Sequence, residues 1–393
     1  MDKHIHKRLQ EIFLVSLRLG LTSFGGPIAH LGYFHEEYVR RRKWIDEKAY
    51  ADLIALCQFL PGPASSQAGI GIGMIRGGIG GGIMAFLGFT LPSAIALILF
   101  ALYVTEWSAA DAGWIHGLKI VSVAVVAHAI LGMAPKLASG SIEKTIALFS
   151  LIAVLLWPAA VSQPAIIIIS GLIGYVLLKS SGEKTADSVE LPISRRSGFI
   201  FLIVFTALLI LLPVIRHVSS GQWLAMTDSL YRSGSLVFGG GHVVLPLLER
   251  EFVPAGWLDK ETFLAGYGAA QAIPGPLFTF AAYLGAVKGG WSGGLLAVIS
   301  IFLPAFLLIA GSLPFWNTLR DSGSIRGALA GVNAAVVGIL AGALYDPIWT
   351  STIRSSLDFA FAALLFGMLA FWKFPSWAAV IAGALGGWLL SMI

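Results

Sequence analysis

Long apolar stretches separated by short polar ones are the most regular feature of this chain. The runs 83–104 and 199–215 are each close to the roughly 20 residues that a helix needs to cross the hydrocarbon core of a bilayer. Further apolar segments at 116–134, 145–159 and 163–178 follow the first run before a charged linker. The pattern predicts an all-α polytopic membrane protein.

Two apolar segments carry helix-breaking residues in the middle. The sequence QFLPGPASSQ occupies 58–67, and QAIPGPLFTF occupies 271–280. Backbone groups freed by a break are costly in hydrocarbon unless they are buried in protein or line a cavity. Because proline at the first position of a helix removes no hydrogen bond, we expect Pro63 to begin a half-helix whose first amides point into the break. These amides and the helix dipole favour an anion.

The second half of the chain repeats the first. The stretch FGG at 24–26 recurs at 238–240, and PGP at 61–63 recurs at 274–276. Other uncommon residues recur in the same order, with small gaps: Glu37, Trp44, Asp46, Gln58, Gly77 and Pro92 are matched by Glu251, Trp257, Asp259, Gln271, Gly290 and Pro304. The agreement in order and spacing predicts two homologous units, 12–178 and 226–393.

Residues 179–225 join the two units and consist of a charged linker followed by the extra apolar span 199–215. One extra crossing inverts the second unit if each unit crosses the membrane an even number of times. Charge supports inversion, because the loop 40–48 is basic and is expected in the cytoplasm, whereas its counterpart 249–261 has more acidic than basic residues. The fold is therefore predicted to contain two inverted-topology repeats with broken or re-entrant helices, joined by one transmembrane helix.

The number of crossings stays open between two arrangements. The N-terminal segment 1–11 and the loop 40–48 both carry basic residues typical of the cytoplasm, although the apolar segment 12–30 lies between them. In the preferred arrangement, 12–30 and 50–75 are re-entrant, and each repeat makes four full crossings. In the alternative, every segment crosses, which gives thirteen spans. Both arrangements place the N-terminus in the cytoplasm and the C-terminus outside.

Composition narrows the class of protein further. Of the 393 residues, 57% are hydrophobic and 12% are charged, whereas soluble domains carry roughly 25% charged residues. The net charge of +5 is explained by basic cytoplasmic loops rather than by a nucleic-acid partner. The single cysteine, Cys57, excludes an internal disulfide, and the chain shows neither a GxxxxGK[ST] nucleotide loop nor the features of a cleaved signal peptide. We expect no cofactor, no bound metal and no catalytic residue, and leave a homo-oligomer open.

The paired breaks define the predicted substrate site, because two inverted half-helices that meet near the midplane of the membrane are a recurrent transporter site. Hydroxyl and amide side chains beside the breaks add donors to the backbone amides. The predicted substrate-binding residues are Gly25, Gly26, Gln58, Pro61, Gly62, Pro63, Ser65, Ser66 and Arg76 in the first repeat, and Gly239, Gly240, Gln271, Pro274, Gly275, Pro276, Thr279 and Lys288 in the second.

Charged residues near the apolar segments are candidates for function because they are costly in a membrane. Arg76 follows the first break, and Lys288 lies where the first repeat has Ile75, so the two cations are not predicted to align. Each could instead extend to the lipid headgroups. Glu37 and Glu251 occupy the same position of the two repeats. They are candidates for carrying a coupling proton or, alternatively, for anchoring a loop to nearby arginines.

These motifs resemble those of the chromate ion transporter family. The resemblance rests on FGGP at 24–27, LPGP at 60–63 and the glycine-rich run after it, FGGGH at 238–242 and IPGP at 273–276. It implies a bacterial inner-membrane protein of the two-domain, long-chain type that exports chromate and confers chromate resistance. The driving force would be the membrane potential or a proton gradient, because moving two negative charges out of a negative interior releases about 4.6 kcal/mol per 100 mV.

Two other functions stay open. Nothing in the sequence separates chromate from another oxyanion of similar shape, such as sulfate. An intramembrane lipid pyrophosphate phosphatase can also use inverted repeats and re-entrant segments. Ser65 and Ser66, however, have no histidine close to them in the sequence, so an enzyme is not expected.

Overall fold

A computed structural model describes residues 2–24, 26–106, 113–157, 162–178, 194–218, 221–238, 241–315 and 323–392. These residues are predominantly helical, and none of them lies in a strand. By length and composition, five helices among them could cross a membrane: Ala64–Tyr103, Gly113–Leu137, Arg195–Val218, Leu277–Phe315 and Gly323–Thr352. The predicted all-α polytopic fold is confirmed.

The same order of helices occurs twice, with one helix between. The first series is α1 (Asp2–Thr22), α2 (Gly26–Phe34, continued by wider turns at His35–Arg41), α3 (Glu47–Phe59), α4 (Ala64–Glu106), α5 (Gly113–Leu137), α6 (Ser141–Leu156) and α7 (Ser162–Leu177). The connecting helix, predicted at 199–215, is α8 (Arg195–Val218). The second series is α9 (Gln222–Leu236), α10 (Val244–Phe252), α11 (Lys260–Ala270), α12 (Phe280–Ser312), α13 (Gly323–Ala343), α14 (Ser356–Ala370) and α15 (Ser376–Leu390). Residues 179–193, most of the charged linker, lie outside the described residues.

The long helix α4 reverses direction at a pair of glycines, Gly77 and Gly78. Gly78 has a φ of 62°, which residues with a side chain rarely adopt. A Cβ added to Gly73 would collide with the carbonyl group of Gly81, so these two residues lie side by side. In a straight helix they would be about 12 Å apart. α4 is therefore a hairpin of a half-helix, 64–76, and a longer helix after the turn.

The second repeat has the same hairpin in α12, and its geometry corrects the predicted alignment. Gly289 and Gly290 have φ/ψ angles of −143°/25° and 57°/−145°, against −142°/24° and 62°/−158° for Gly77 and Gly78. The predicted match of Gly77 with Gly290 is therefore wrong by one residue. The half-helix of α12 is one residue shorter because it begins with a tighter 3-10 turn at Leu277–Thr279.

The N-terminal segment forms a hairpin around the FGG motif. The hydroxyl groups of Ser16 and Tyr38 are 3.2 Å apart, and Arg42 Nη1 donates to Glu11 Oε1 at 3.0 Å. Because residue numbers rise along one arm as they fall along the other, α1 and the chain that returns through α2 run antiparallel. The two ends of this segment therefore lie at the same end of the hairpin.

A second hairpin surrounds the first PGP motif. Leu53 of α3 contacts Gly71 of the following half-helix, so the chain doubles back at the break. The two hairpins correspond to the segments 12–30 and 50–75. Their geometry supports the arrangement in which these segments are re-entrant over the one in which every segment crosses.

The two repeats meet through the helices that follow the glycine turns. The rings of Phe86 and Phe302 have centroids 5.3 Å apart, and Ile98 contacts Gly294. These equivalent helices therefore run antiparallel, as an inverted second repeat requires.

The hairpins of the two repeats differ in what covers them. In the second repeat, Ser122 of α5 donates to the Leu264 carbonyl at 3.4 Å, and Gly268 packs directly on the α5 backbone. The equivalent residues of α3 in the first repeat, Ala51 and Ala55, are exposed. The α11 face is thus buried against the first repeat, and the matching α3 face is open.

The neighbouring helices show the same difference. Tyr33 of α2 is 43% exposed, whereas its equivalent in α10, Leu247, is 6% exposed. Arg250 of α10 reaches across to the first repeat and donates to the Val154 carbonyl at 2.9 Å, while the equivalent Glu36 is exposed. We call α2 and α3 the open hairpins, and α10 and α11 the closed hairpins.

Candidate functional site

Each PGP break is hydrogen-bonded to the other repeat. The amide of Gly62 donates to the Val237 carbonyl at 2.7 Å, and the amide of Gly275 donates to the Ser23 carbonyl at 3.0 Å. Val237 and Ser23 each directly precede an FGG motif. The PGP motif of one repeat is therefore paired with the FGG region of the other, and the two breaks lie between the repeats.

The half-helix after the first break begins as predicted. α4 starts at Ala64, and the Pro63 carbonyl accepts from the Gln67 amide at 2.9 Å. Ser65 and Ser66 lie in the first turn, where the helix leaves its amides free. Both side chains are buried, at 2% and 3% exposure. The first break is therefore followed by a helix start that carries two buried hydroxyl groups in its first turn.

Sequence reasoning missed His30, which lies against this half-helix. Its Nδ1 is 3.2 Å from Ser65 Oγ, its ring meets the edge of Phe89, and the residue is 1% exposed. The backbone of Ser23 is also close to the ring, but Nε2 has no hydrogen-bond partner among the described residues. His30 follows FGG closely in the sequence, whereas its partner is 35 residues away.

Other buried polar atoms around the first break also lack a hydrogen-bond partner within the described residues. They are Ser23 Oγ, Ser66 Oγ, Gln67 Oε1 and Thr90 Oγ1. Together with His30 and Ser65 we call these residues the first-repeat polar cluster. A buried polar atom without a partner costs about 1–3 kcal/mol, so proteins keep few of them. Several at one place indicate that a bound polar species completes their hydrogen bonds.

The cluster lies between the two breaks. Gln67 Nε2 donates to the Pro61 carbonyl at 2.8 Å, within the first break. Ser93 Oγ donates to the Thr90 carbonyl at 3.0 Å. A Cβ on Gly275, in the second break, would lie 2.9 Å from Ser93 Oγ. Gln67 therefore lies at the first break and Ser93 at the second.

The second break uses most of its polar groups internally. Thr279 Oγ1 donates to the Pro276 carbonyl at 2.6 Å, and His242 Nδ1 is 2.7 Å from the hydroxyl of Tyr267. Gln271, beside Tyr267, leaves its Nε2 without a hydrogen-bond partner in the described part of the chain. It is half-buried.

Three predicted site residues lie away from the breaks. Gln58 is exposed on α3. Arg76 is at the glycine turn, about 18 Å along its half-helix from the break, 3.8 Å from Glu11 and over the ring of Trp44. Lys288 is exposed at the equivalent turn. Both cations directly precede the glycine pair, so the prediction that they do not align is wrong.

The remaining predicted residues fall into two groups. The proline and glycine residues of the PGP motifs, with Gly26 beside the FGG break, border the region described above. Gly25, Gly239 and Gly240 lie outside the described residues.

The two glutamates predicted for proton coupling or loop anchoring are held by arginines. Glu37 accepts from Arg42 Nε at 2.7 Å and from Arg41 at 3.3 Å. Glu251 accepts from the two terminal nitrogens of Arg232 at 2.8 and 2.9 Å. These contacts support the anchoring interpretation.

The contact between Ser65 and His30 removes one argument made from the sequence, namely that no histidine is close to the serines. A serine and a histidine in contact also suit a hydrolase, in which a third group orients the histidine. Among the described residues, no carboxylate is hydrogen-bonded to His30. The third group of such a triad is therefore not seen on His30 within the described part of the chain.

Broken helices paired between two homologous repeats are a recurrent architecture of membrane transporters. The chain belongs to the chromate transporter family, whose model matches residues 10–175 and 224–388, one range in each repeat. The family is one of transporters.

Curated relatives match most of the chain. A chromate transport protein of Pseudomonas aeruginosa is 28% identical over 390 residues, covering 97% of this chain and 92% of that protein. A probable chromate transport protein of Synechococcus elongatus is 28% identical over 349 residues, 87% of this chain and 85% of that protein. An uncharacterized transporter of Methanocaldococcus jannaschii is 27% identical over 377 residues, 94% and 90% of the two chains. No solved structure matches the chain at a comparable level of significance.

Proposed function

We propose that this protein is a secondary transporter that exports chromate across the cell inner membrane and so confers chromate resistance. The observation that carries the proposal is the first-repeat polar cluster, in which several buried atoms have no hydrogen-bond partner among the described residues. Membership of the chromate transporter family and the names of two relatives support chromate as the substrate.

The chemistry of the cluster suits a tetrahedral oxyanion. Such an ion has four oxygens that accept hydrogen bonds from several directions. Hydroxyl groups, an imidazole and the free amides at the start of a half-helix can donate to it. Hydrogen bonds from these donors offset part of the desolvation free energy of the dianion, which an apolar site would leave uncompensated.

Energetics favour export without ATP. Moving one charge through 100 mV is worth about 2.3 kcal/mol, so a dianion leaving a negative interior releases about 4.6 kcal/mol. At 1.4 kcal/mol per tenfold concentration ratio, this sustains a gradient of over a thousandfold. The membrane potential is therefore a sufficient driving force, and a proton gradient is the alternative.

The difference between open and closed hairpins supports a mechanism in which the site opens to one side at a time. With the N-terminus in the cytoplasm and the C-terminus outside, the open hairpins of the first repeat face the cytoplasm. Because the repeats are homologous, the second conformation is one in which the two pairs of hairpins exchange their packing. Chromate would bind in the first conformation and leave in the second.

Everted membrane vesicles test the export proposal. Vesicles that contain the protein should accumulate labelled chromate when energised, and vesicles without it should not. Equal uptake in both preparations would contradict export. Competition by sulfate, molybdate and phosphate in the same vesicles measures which oxyanion is preferred. If sulfate prevents chromate uptake at a much lower concentration than chromate itself requires, sulfate is the better substrate.

A further inference from the structure

We infer that the hydroxyl and imidazole ligands of the oxyanion come from the first repeat alone, with His30 as the principal ligand. The inference rests on the proposed function, because it takes the transported anion as the occupant of the first-repeat polar cluster. It replaces the symmetric site, with equal contributions from both breaks, that the sequence predicted.

The first observation is that the two repeats differ at equivalent positions. Aligned on their FGG motifs and glycine turns, polar residues of the first repeat correspond to apolar residues of the second: Ser23, His30, Thr90 and Ser93 correspond to Val237, Val244, Phe302 and Ala305. Aligned on the PGP motifs, Ser65 corresponds to Phe278. At these positions the second repeat carries apolar side chains, which cannot donate to an anion.

The second observation concerns Ser66 and its equivalent Thr279, which both carry a hydroxyl group. The Thr279 hydroxyl donates a hydrogen bond to the Pro276 carbonyl. Ser66 Oγ has no partner within the described residues, although the side chain is only 3% exposed. The two repeats therefore differ even where both carry a hydroxyl group: the Thr279 hydroxyl is hydrogen-bonded to its own backbone, and the Ser66 hydroxyl is available to a ligand. Among the described residues of the second break, Gln271 also has a buried donor atom, Nε2, without a hydrogen-bond partner.

The third observation is the position of His30. The groups that face its ring are Ser65 and Phe89 of α4 and the backbone of Ser23, and none of them is charged. A protonated imidazole donates from both nitrogens. Nδ1–H then donates to Ser65 Oγ, which frees the serine proton, and Nε2–H donates to an oxygen of the anion.

A positive charge is needed at this place because a buried dianion without a counter-charge is strongly unfavourable. Arg76 and Lys288 are each about 18 Å along a half-helix from the breaks, too far to touch an ion bound there. His30 is the one member of the cluster that can gain a positive charge. It does so by taking up a proton when the anion binds.

Chromate binding to the purified full-length protein, measured by titration calorimetry, tests the inference with matched variants of the two repeats. His30→Gln should raise the Kd for chromate about 10- to 100-fold, and Ser66→Ala about 3- to 10-fold. The controls Val244→Ala and Thr279→Val should change the Kd by less than about twofold. Ser66→Ala removes no internal hydrogen bond, so its melting temperature should equal that of the wild type, which separates lost binding from misfolding.

The inference is overturned if His30→Gln and Ser66→Ala bind chromate like the wild type, or if Thr279→Val weakens binding as much as Ser66→Ala. The proposed function fails in a different way. If the wild type binds sulfate but not chromate, with the same pattern among the variants, the site stands and the chromate assignment falls. If the wild type binds neither anion, both are wrong.

Discussion

Gly268 lies where α11 comes closest to α5, and a methyl group there should force the closed hairpin open. A Cβ at Gly268 would lie 2.9 Å from the carbonyl carbon of Leu118 and 3.0 Å from its Cβ, with the carbonyl oxygen closer still. The helices have to move apart by several tenths of an ångström, and overpacking of this kind costs about 1–3 kcal/mol. At 1.4 kcal/mol per factor of ten, Gly268→Ala should shift the equilibrium away from the closed hairpin by about 5- to 150-fold.

Crosslinking measures this shift. Lys119 Nζ and Glu261 Oε2 are 2.9 Å apart across the same interface, so cysteines at these two positions should be joined by a short thiol-reactive crosslinker when the hairpin is closed. Gly268→Ala should slow that reaction, by up to the same factor, because the rate follows the fraction of protein in which the hairpin is closed. Ala55→Val is the matched control, because Ala55 occupies the equivalent position on the exposed face of α3. Equal crosslinking rates with and without Gly268→Ala would refute the argument that this contact holds the hairpin closed.

Three further predictions follow from the same contacts. When Gly113 and Gly117 of α5 are aligned with Gly323 and Gly327 of α13, Val332 corresponds to Ser122, as Ala51 corresponds to Leu264. Cysteines at Ala51 and Val332 should therefore crosslink only in the exchanged conformation, and the crosslink should stop chromate export until it is reduced. Rapid crosslinking with full export would contradict the exchange. Arg76→Gln should leave the Kd for chromate within about twofold, because the side chain lies at the glycine turn about 18 Å from the break; a tenfold loss of affinity would place it in the site. The hydrogen bond from Lys119 lowers the pKa of Glu261 below its ordinary value of 4.5, so the ionised Glu261 stabilises the closed hairpin above pH 4.5, and this stabilisation is lost as the pH falls through the lowered pKa. The melting temperature should therefore fall over this pH range in the wild type and fall less in Glu261→Gln. Identical pH profiles of the two proteins would count against a contribution of ionised Glu261 to stability.

The repeats and the breaks were predictable because glycine and proline constrain the backbone locally. Pro63 could be assigned to a helix start from its missing amide hydrogen alone, and α4 begins directly after it. The register of the glycine turns was harder to predict. The second repeat has one residue fewer between its PGP motif and its glycine turn, and the 3-10 turn at the start of the half-helix compensates for this difference. A sequence alignment that puts this one-residue gap after the glycine turn fails to align Arg76 with Lys288.

The ligands themselves depend on tertiary packing and were predicted less well. His30 and Ser65 meet because two hairpins lie side by side, which no periodicity within either segment reveals. The prediction that Gln58 binds the substrate is not supported, because closeness in sequence to the break does not bring its side chain there. It stands three residues before the PGP motif, but the helical turn places it on the exposed face that it shares with Ala51 and Ala55.

The crossed hydrogen bonds of the two breaks also constrain how the chain is made. The Gly62 amide of the first repeat donates to the Val237 carbonyl of the second, and the Gly275 amide of the second donates to the Ser23 carbonyl of the first. During synthesis the first repeat therefore enters the bilayer with an incomplete backbone, and it stays so until α9 and the second PGP motif have been translated. Backbone groups without partners are costly in lipid, so the early hairpins have to be sheltered by the insertion machinery or by water at the membrane surface. Neither repeat is a finished folding unit, and both are completed in the same step.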